Sequence, residues 1–431
     1  MVRVFEKLQN VVKNATHSET EQPSSVTPSK DNGPPQHSME HCAKIAKENP
    51  LPEPPWLSSD LGPRPRAHQI TQRAINVYLL SQKPNGGMGG IGWWQCANGY
   101  TAMALHDLWC DDKPGHNYSA LDTAIRKCEA RQRGLINVFN DDTLWWAMLC
   151  MHMYTLRGDP WYLDLARGIW RHIHSSGSVC GRGQVNWRGK DMEGAVYWTT
   201  KPHEEQINAI STSLFAELSA RLALVAQSQK DQRAAATYIE SARCSLGWVL
   251  RCRYRPRDGV VLDHIKLKQD KCVDWTFTYN SGVTLGASTV LYAATGEEDY
   301  MSLACHMACK AMVHKGWVED NGVLTEKGAY GRGTHDPWKD NDSVGFKAVL
   351  VRQLGVLFDV ISKTGCQAPK AQEMREMMGK FLRLNFDAQV ERNTNGKGQY
   401  GPWWNGPFEC PTSHSQMAVL DVMAAARLVY R

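Results

Sequence analysis

The sequence predicts an all-α protein, a toroid of six helical hairpins or (α/α)6 barrel, and three observations carry that prediction. From about residue 66 onward, apolar residues recur at spacings of three and four, with few of the alternating runs that mark strands. Twelve such segments are legible, at 66–82, 94–110, 119–131, 141–158, 160–176, 205–227, 232–252, 279–296, 297–315, 342–364, 367–384 and 412–430. Short joints such as "GD" at 158–159, "QKDQ" at 229–232 and "TGEED" at 295–299 alternate with long loops at 83–93, 132–140, 177–204, 253–278, 316–341 and 385–411. With successive helices antiparallel, every long loop leaves the same end of the bundle. No fixed repeat of about 34 or 40 residues runs through the chain, which argues for a closed barrel over an open solenoid.

Taken in order, residues 1–64 read as a flexible leader, rich in Ser, Pro, Glu, Thr and Asn, and 65–431 as one barrel domain. The 431 residues, 42% of them apolar and 22% charged, provide a large core. A net charge of +5 with scattered basic residues excludes a nucleic-acid partner, and no stretch is apolar for long enough to span a membrane. The chain is expected to be monomeric. Thirteen cysteines, several on apolar helical faces, read as buried thiols, and no paired CxxC motifs indicate structural zinc. The first residues lack the apolar core of a signal peptide, so the expectation is an intracellular protein, or a secreted or wall protein should the given start not be the true one. Sequons stand at Asn14, Asn117 and Asn341.

Of the sixteen Trp and thirty-five Gly, many occur together between helical stretches, as in "GGMGGIGWW" (86–94), "CGRGQVNWRG" (180–189) and "YGPWWNGPF" (400–408). Aromatic rings on permissive backbone suit a groove that stacks on flat ligand faces. At the entry to the fourth helix stand Asp141 and Asp142. One acid at a helix start is an ordinary cap. Two in succession repel, so one is expected to have a raised pKa, and at a loop-to-helix junction both reach one cavity. That inequality suits a retaining glycosidase, which needs an ionised carboxylate and a protonated one. Trp145 and Trp146, one turn on, are expected to wall the cavity. A second pair, Asp111 and Asp112, precedes a Pro-Gly turn and reads as surface loop.

The stretch "NDDTLWWAMLCMHMYTLRGDPWYLDLARGIW" resembles the signature of glycoside hydrolase family 76, the endo-α-1,6-mannanases and their fungal cell-wall relatives. "GIGWWQCANGYTAMALHDLW" (90–109), "DGVVLDHI" (258–265), "WTFTYNSGVTLGASTVLYAATGEEDYMSLA" (275–304) and "GPWWNGPFECPTSHSQMAVLDVMAAA" (401–426) follow in order, so the resemblance spans about 66–430. It implies an (α/α)6 barrel, Asp141 as nucleophile, Asp142 as general acid/base, and no metal or organic cofactor. The groups expected to position substrate on the same rim are Trp93, Trp94, Asn98, Asp263, Tyr279 and Asn280. The chain departs from the family pattern at Ile207, where a lysine is usual, and at Ser281, where the family has glutamine; both departures are expected around the groove. The leading expectation is a retaining hydrolase or transglycosidase of α-1,6-mannosides. The alternative is an intracellular relative in which the same acids dehydrate or cyclise a small metabolite.

Overall fold

The computed structural model describes residues 38–110, 115–201, 205–339, 342–366 and 368–430. Helix α1 is Met39–Glu48; the next twelve are α2 Ala67–Leu79, α3 Trp93–Leu108, α4 Tyr118–Arg131, α5 Asn140–Arg157, α6 Pro160–Ser175, α7 Ala209–Ser228, α8 Gln232–Cys252, α9 Thr278–Thr295, α10 Glu298–Met312, α11 Phe346–Thr364, α12 Ala371–Arg392 and α13 Ser413–Val429. Each of α2 to α13 matches one predicted segment; a further helical turn, Lys327–Tyr330, lies between α10 and α11. The largest boundary difference is α12, whose periodicity carries on through "NFDAQVER" to Arg392.

Packing sorts the twelve into two rings. Helices α3, α5, α7, α9, α11 and α13 touch one another in that order, and α13 returns to α3, so the inner ring closes. The even-numbered helices α2 to α12 flank it. Inner helices are apolar around most of their circumference because they are covered on all sides. Hence Ala209–Ser228, the one described helix long and apolar enough to cross a membrane, lies buried in the ring.

Inner-to-outer turns are tight for local reasons. After α5, Gly158 takes the left-handed conformation at φ 70°, Asp159 accepts the Trp161 N–H at 2.9 Å as N-cap, and Pro160 opens α6. The outer-to-inner loops are long and emerge together where the inner helices begin. They carry a three-stranded antiparallel sheet of Gln206–Asn208, His264–Lys266 and Lys271–Val273, in the order edge, centre, edge.

Polar ties fasten the ring. Arg352 on α11 grips Asp421 on α13 with two hydrogen bonds of 2.8 Å and donates to the Asn98 side chain on α3 at 2.6 Å, all three groups being buried. Gln353 reaches from α11 to Glu217 on α7 at 2.8 Å, across α9. Gly286 on α9 makes the crossing possible, since a Cβ there would stand 2.2 Å from the Gln353 side-chain oxygen.

Part of the expected leader is ordered. Helix α1 packs on α10 and buries Cys42, Ala43 and Ala46, and Trp56 lies against Phe381 of α12 with ring centroids 5.5 Å apart. The Pro- and Ser-rich composition of this segment concealed a few apolar anchors. Residues 1–37, Asp111, Asp112 and Asn341 fall outside the described residues.

Replacing Asp421 with Ala strands a buried guanidinium and is expected to cost about 3–5 kcal/mol of folding stability in urea denaturation. A loss below about 1 kcal/mol would show that the tie is dispensable.

Candidate active site

The inner helices point their N-termini at one mouth. Asn208 and Thr412 cap α7 and α13 with side-chain oxygens, whereas the residues before α3, α5, α9 and α11, which are Gly92, Phe139, Phe277 and Gly345, offer none. The four helices without such caps carry the site.

Asp141 and Asp142 occupy the first turn of α5 and remain partly open at the mouth. Neither caps the helix in the ordinary way, and Asn140 bonds instead to the Tyr197 carbonyl at 2.8 Å. Asp141 accepts the Asp142 backbone N–H at 2.9 Å and the Trp198 indole N–H at 3.2 Å. Trp198 is delivered by segment 195–200, which pairs with 138–140: the Asn140 N–H donates to the Trp198 carbonyl at 2.8 Å, and the Thr200 N–H to the Val138 carbonyl at 3.0 Å. Asp142 accepts from the Asn137 side chain at 2.8 Å, while the Asn137 oxygen accepts the Phe139 N–H at 2.8 Å in a local turn that fixes its direction.

Burial pushes the Asp141 carboxyl well above the ordinary aspartate range, and the neighbouring Asp142 charge adds to it. Burial likewise pushes Asp142 up to about 7, opposed by the Asn137 hydrogen bond and helped by the charge of Asp342. The two titrate as a pair that retains a proton close to neutrality. Asp342, raised by burial, accepts from the Trp94 indole at 3.1 Å and from Gln95. Asp342, Trp198 and Asn137 are absent from the sequence-based expectations. Trp198 and Asn137 lie in loops and Asp342 opens the 3-10 turn before α11, and each meets the acids through tertiary contact or a local turn that residue spacing does not announce.

An aromatic wall continues from the acids. Tyr279 stacks on Phe346 with centroids 4.1 Å apart and planes 9° from parallel; Phe277 lies 5.0 Å from Phe346, Trp275 5.6 Å from Phe277, and Trp94 6.1 Å from Phe346. The Tyr279 hydroxyl is held neutral by burial, then by the charges of Asp263, Asp141, Asp342 and Glu326.

The predicted site residues divide by depth. Asp141, Asp142, Trp93, Trp94 and Tyr279 are partly exposed at the mouth. Trp145 and Trp146 are buried, Trp146 under Trp93 at 4.4 Å, because one helical turn carries a side chain about 5.4 Å farther into the barrel. They floor the site instead of walling it. Asn98 is spent in the Arg352 network and on the Trp94 carbonyl. Asp263 is engaged on both oxygens, by Asn280 at 3.0 Å and His264 at 2.8 Å, and Asn280 is itself buried. These three support the mouth from within. The two family departures are also internal: Ile207 is buried in the sheet, and the Ser281 hydroxyl accepts the Val261 N–H at 2.9 Å. Among the described residues no group of three or more His, Cys, Asp or Glu side chains is placed to hold a metal ion.

Comparison with known proteins places this geometry. At 20% identity and a TM-score of 0.67, the fold is similar to an inactive variant of the α-1,6-mannanase of Salegentibacter sp. HEL1_6, two consecutive aspartates replaced by alanine, in complex with α-1,6-mannotetraose; the match covers 84% of this chain and 99% of that one. It is also similar to Dfg5 of Chaetomium thermophilum, in complex with glucosamine, at 17% identity and a TM-score of 0.62, over 84% of this chain and 89% of that one. The meiotically up-regulated gene 191 protein of Schizosaccharomyces pombe is 25% identical over 242 residues, 54% of this chain, and the match spans about half (50%) of that relative's length. The profile of glycosyl hydrolase family 76 matches residues 65–430, a span that takes in all twelve barrel helices and both acids, and the chain belongs to that family.

Proposed function

We propose that the chain is a retaining glycoside hydrolase or transglycosidase acting on α-1,6-mannosidic linkages, and the observation that carries the proposal is the unequal surroundings of two consecutive acids at one mouth. Two N–H donors and the positive end of α5 stabilise negative charge on Asp141, whereas Asp142 has one donor and faces the charge of Asp342. Both carboxyls are raised by burial and hold the proton as a pair; in the proposed reaction it is delivered from Asp142. Ionised Asp141 attacks the anomeric carbon as Asp142 gives its proton to the departing glycosidic oxygen, leaving a glycosyl-enzyme. Asp142, now a base, takes the proton of an incoming water or sugar hydroxyl, which releases Asp141. Tyr279 and Trp94 offer faces on which pyranose rings stack. The inactive mannanase variant with two consecutive aspartates replaced, holding a mannotetraose, supports this use of the pair.

A second reading, in which the chain works inside the cell on a small glycoside or metabolite, is favoured by two observations. Nine of the thirteen cysteines are buried as thiols. The sequon residue Asn117 is 3% exposed, with its side-chain nitrogen bonded to Asp107 at 2.7 Å and its oxygen accepting from Gln72 at 2.9 Å. A glycan on that nitrogen is incompatible with the docking of α4.

Asp141→Asn and Asp142→Asn are each expected to lower turnover of α-1,6-mannotetraose by at least about a hundredfold with the fold intact, read by product mass and anomeric configuration. Inversion of configuration, or activity surviving in either variant, would refute the assignment. Because the folded state raises the Asp142 pKa from 3.8 to about 7, it binds more protons than the unfolded chain between those values, so stability falls as pH rises through that window. Asp142→Asn is expected to stabilise the protein by on the order of 1–3 kcal/mol at pH 8 and to change little at the acid end, about pH 3.8. Equal effects at both ends would contradict the shift. Passage of the chain through microsomes bearing oligosaccharyltransferase is expected to yield either an Asn117 that stays unmodified or, where it is modified, a protease-sensitive product; a glycosylated, protease-resistant barrel would count against the intracellular reading.

A further inference from the structure

Among the buried acids that the mechanism above does not use, Glu326 lies beside the aromatic wall. Glu326 is 2% exposed, carries no ligand-facing role in the acid pair, and sits in the left-handed region at φ 47°, ψ 51°, a conformation a residue with a Cβ adopts at some cost. Its carboxylate spans the start of α9: one oxygen accepts the Thr278 N–H at 2.7 Å, the other accepts the Thr278 hydroxyl at 2.6 Å. Position 277, where a capping Ser, Asp or Asn would ordinarily stand, is a phenylalanine whose ring belongs to the aromatic wall. An acid from a loop 48 residues farther along thus supplies the cap that the chain's own N-cap lacks.

The same carboxylate faces Lys347, in the first turn of α11. Lys347 is 1% exposed, donates to the Val344 carbonyl at 3.2 Å and lies 5.1 Å from the centre of the Trp404 ring. An ammonium at a helix N-terminus opposes the helix dipole, and the charge of Glu326 offsets it. Thr278, which Glu326 holds, directly precedes Tyr279, and Lys347, whose charge Glu326 offsets, directly follows Phe346; Tyr279 and Phe346 are the stacked pair of the wall. Along 275–279 the alternation is regular: Trp275, Phe277 and Tyr279 form the aromatic row, while the Thr276 carbonyl accepts the Trp317 indole N–H at 2.9 Å and Thr278 is held by Glu326. Behind that segment lies a cavity of about 280 Å³ lined by Thr276, Trp317, Glu326 and neighbouring loop residues.

We propose that Glu326 is a positioning residue for the substrate groove: through its two hydrogen bonds to Thr278 it holds the first turn of α9, and so sets Tyr279 in the Tyr279–Phe346 stack on which a sugar ring rests. The proposal rests on the glycosidase reading for its kinetic arm and stands apart from it for its structural arm.

The test compares the wild-type chain with E326Q and E326A. Amide hydrogen exchange is expected to quicken at 278–281 in both variants, more in E326A, while α3 and α5 stay unchanged. With α-1,6-mannotetraose as probe, KM is expected to rise roughly tenfold, about the factor one lost hydrogen bond commands, with kcat within about threefold, because the acid pair is untouched. E326Q, which keeps an acceptor for the Thr278 N–H, is expected to recover part of the loss. Unchanged exchange at 278–281 would overturn the proposal whether or not mannotetraose is turned over, as would a fall in kcat with KM constant. Exchange that quickens as expected in a wild-type background inert toward mannotetraose would leave the positioning role standing and refute the substrate.

Discussion

The constraint on which the mouth of the barrel depends is the cost of holding carboxylates out of water. Asp141, Asp142, Asp342 and Glu326 converge where the inner helices begin, and burial raises the proton affinity of every one of them. What makes the cluster tolerable is the direction of the scaffold. Six helices present their positive ends to the same volume, and indole and amide donors from Trp198, Trp94, Gln95 and Asn137 fill in where those ends do not reach. The site is thus a balance between desolvation, which favours neutral acids, and oriented dipoles, which favour charge. Unequal settings of that balance at two adjacent residues are what acid–base and nucleophilic chemistry on one bond requires.

That balance also explains which helices lack their own caps. A Ser, Thr, Asp or Asn side chain folded back onto the helix would occupy the space a ligand enters, and would spend N–H groups that can stabilise charge in the site. The two inner helices with conventional caps, α7 and α13, contribute no acid to the pair. The others begin with Gly92, Phe139, Phe277 and Gly345, positions given over to close approach or to ring surface. Stability surrendered at the mouth is offset deeper in the ring, where Arg352, Asp421, Asn98, Glu217 and Gln353 tie the inner helices together.

Much of the fold was legible in the chain because its determinants are local. Helical periodicity and the alternation of short and long connections are properties of neighbouring residues, and Gly158, Asp159 and Pro160 specify their turn unaided. The acids were legible for the same reason, being adjacent at a helix start. Depth was not. Trp145 and Trp146 share a helical face with Asp141 and Asp142, and the face alone does not tell a wall from a floor one turn below. Asn98, Asp263 and Asn280 look like ligand-binding groups until their partners are known, and those partners come from other helices and strands. Trp198 and Asp342 were missed because a loop residue 57 or more positions away meets the acids only once the barrel has closed.

The positions at which the chain departs from its family bear on specificity in an unexpected way. Ile207 and Ser281 sit inside the rim, in the sheet and beneath the strand at 260–261, and touch the ligand face of neither α5 nor α9. Ile207 pairs with Ile265 in the sheet, and Ser281 holds the Val261 N–H, so both support segment 253–278 from within. Specificity in such a barrel follows from where the long loops set their aromatic rings, and the rings of 275–279 are set by bonds from behind, at Thr276 and Thr278. The row of rings at 275–279 is thus fixed by residues behind it that carry no sugar-binding appearance of their own, Thr276 through its carbonyl and Thr278 through its N–H and hydroxyl.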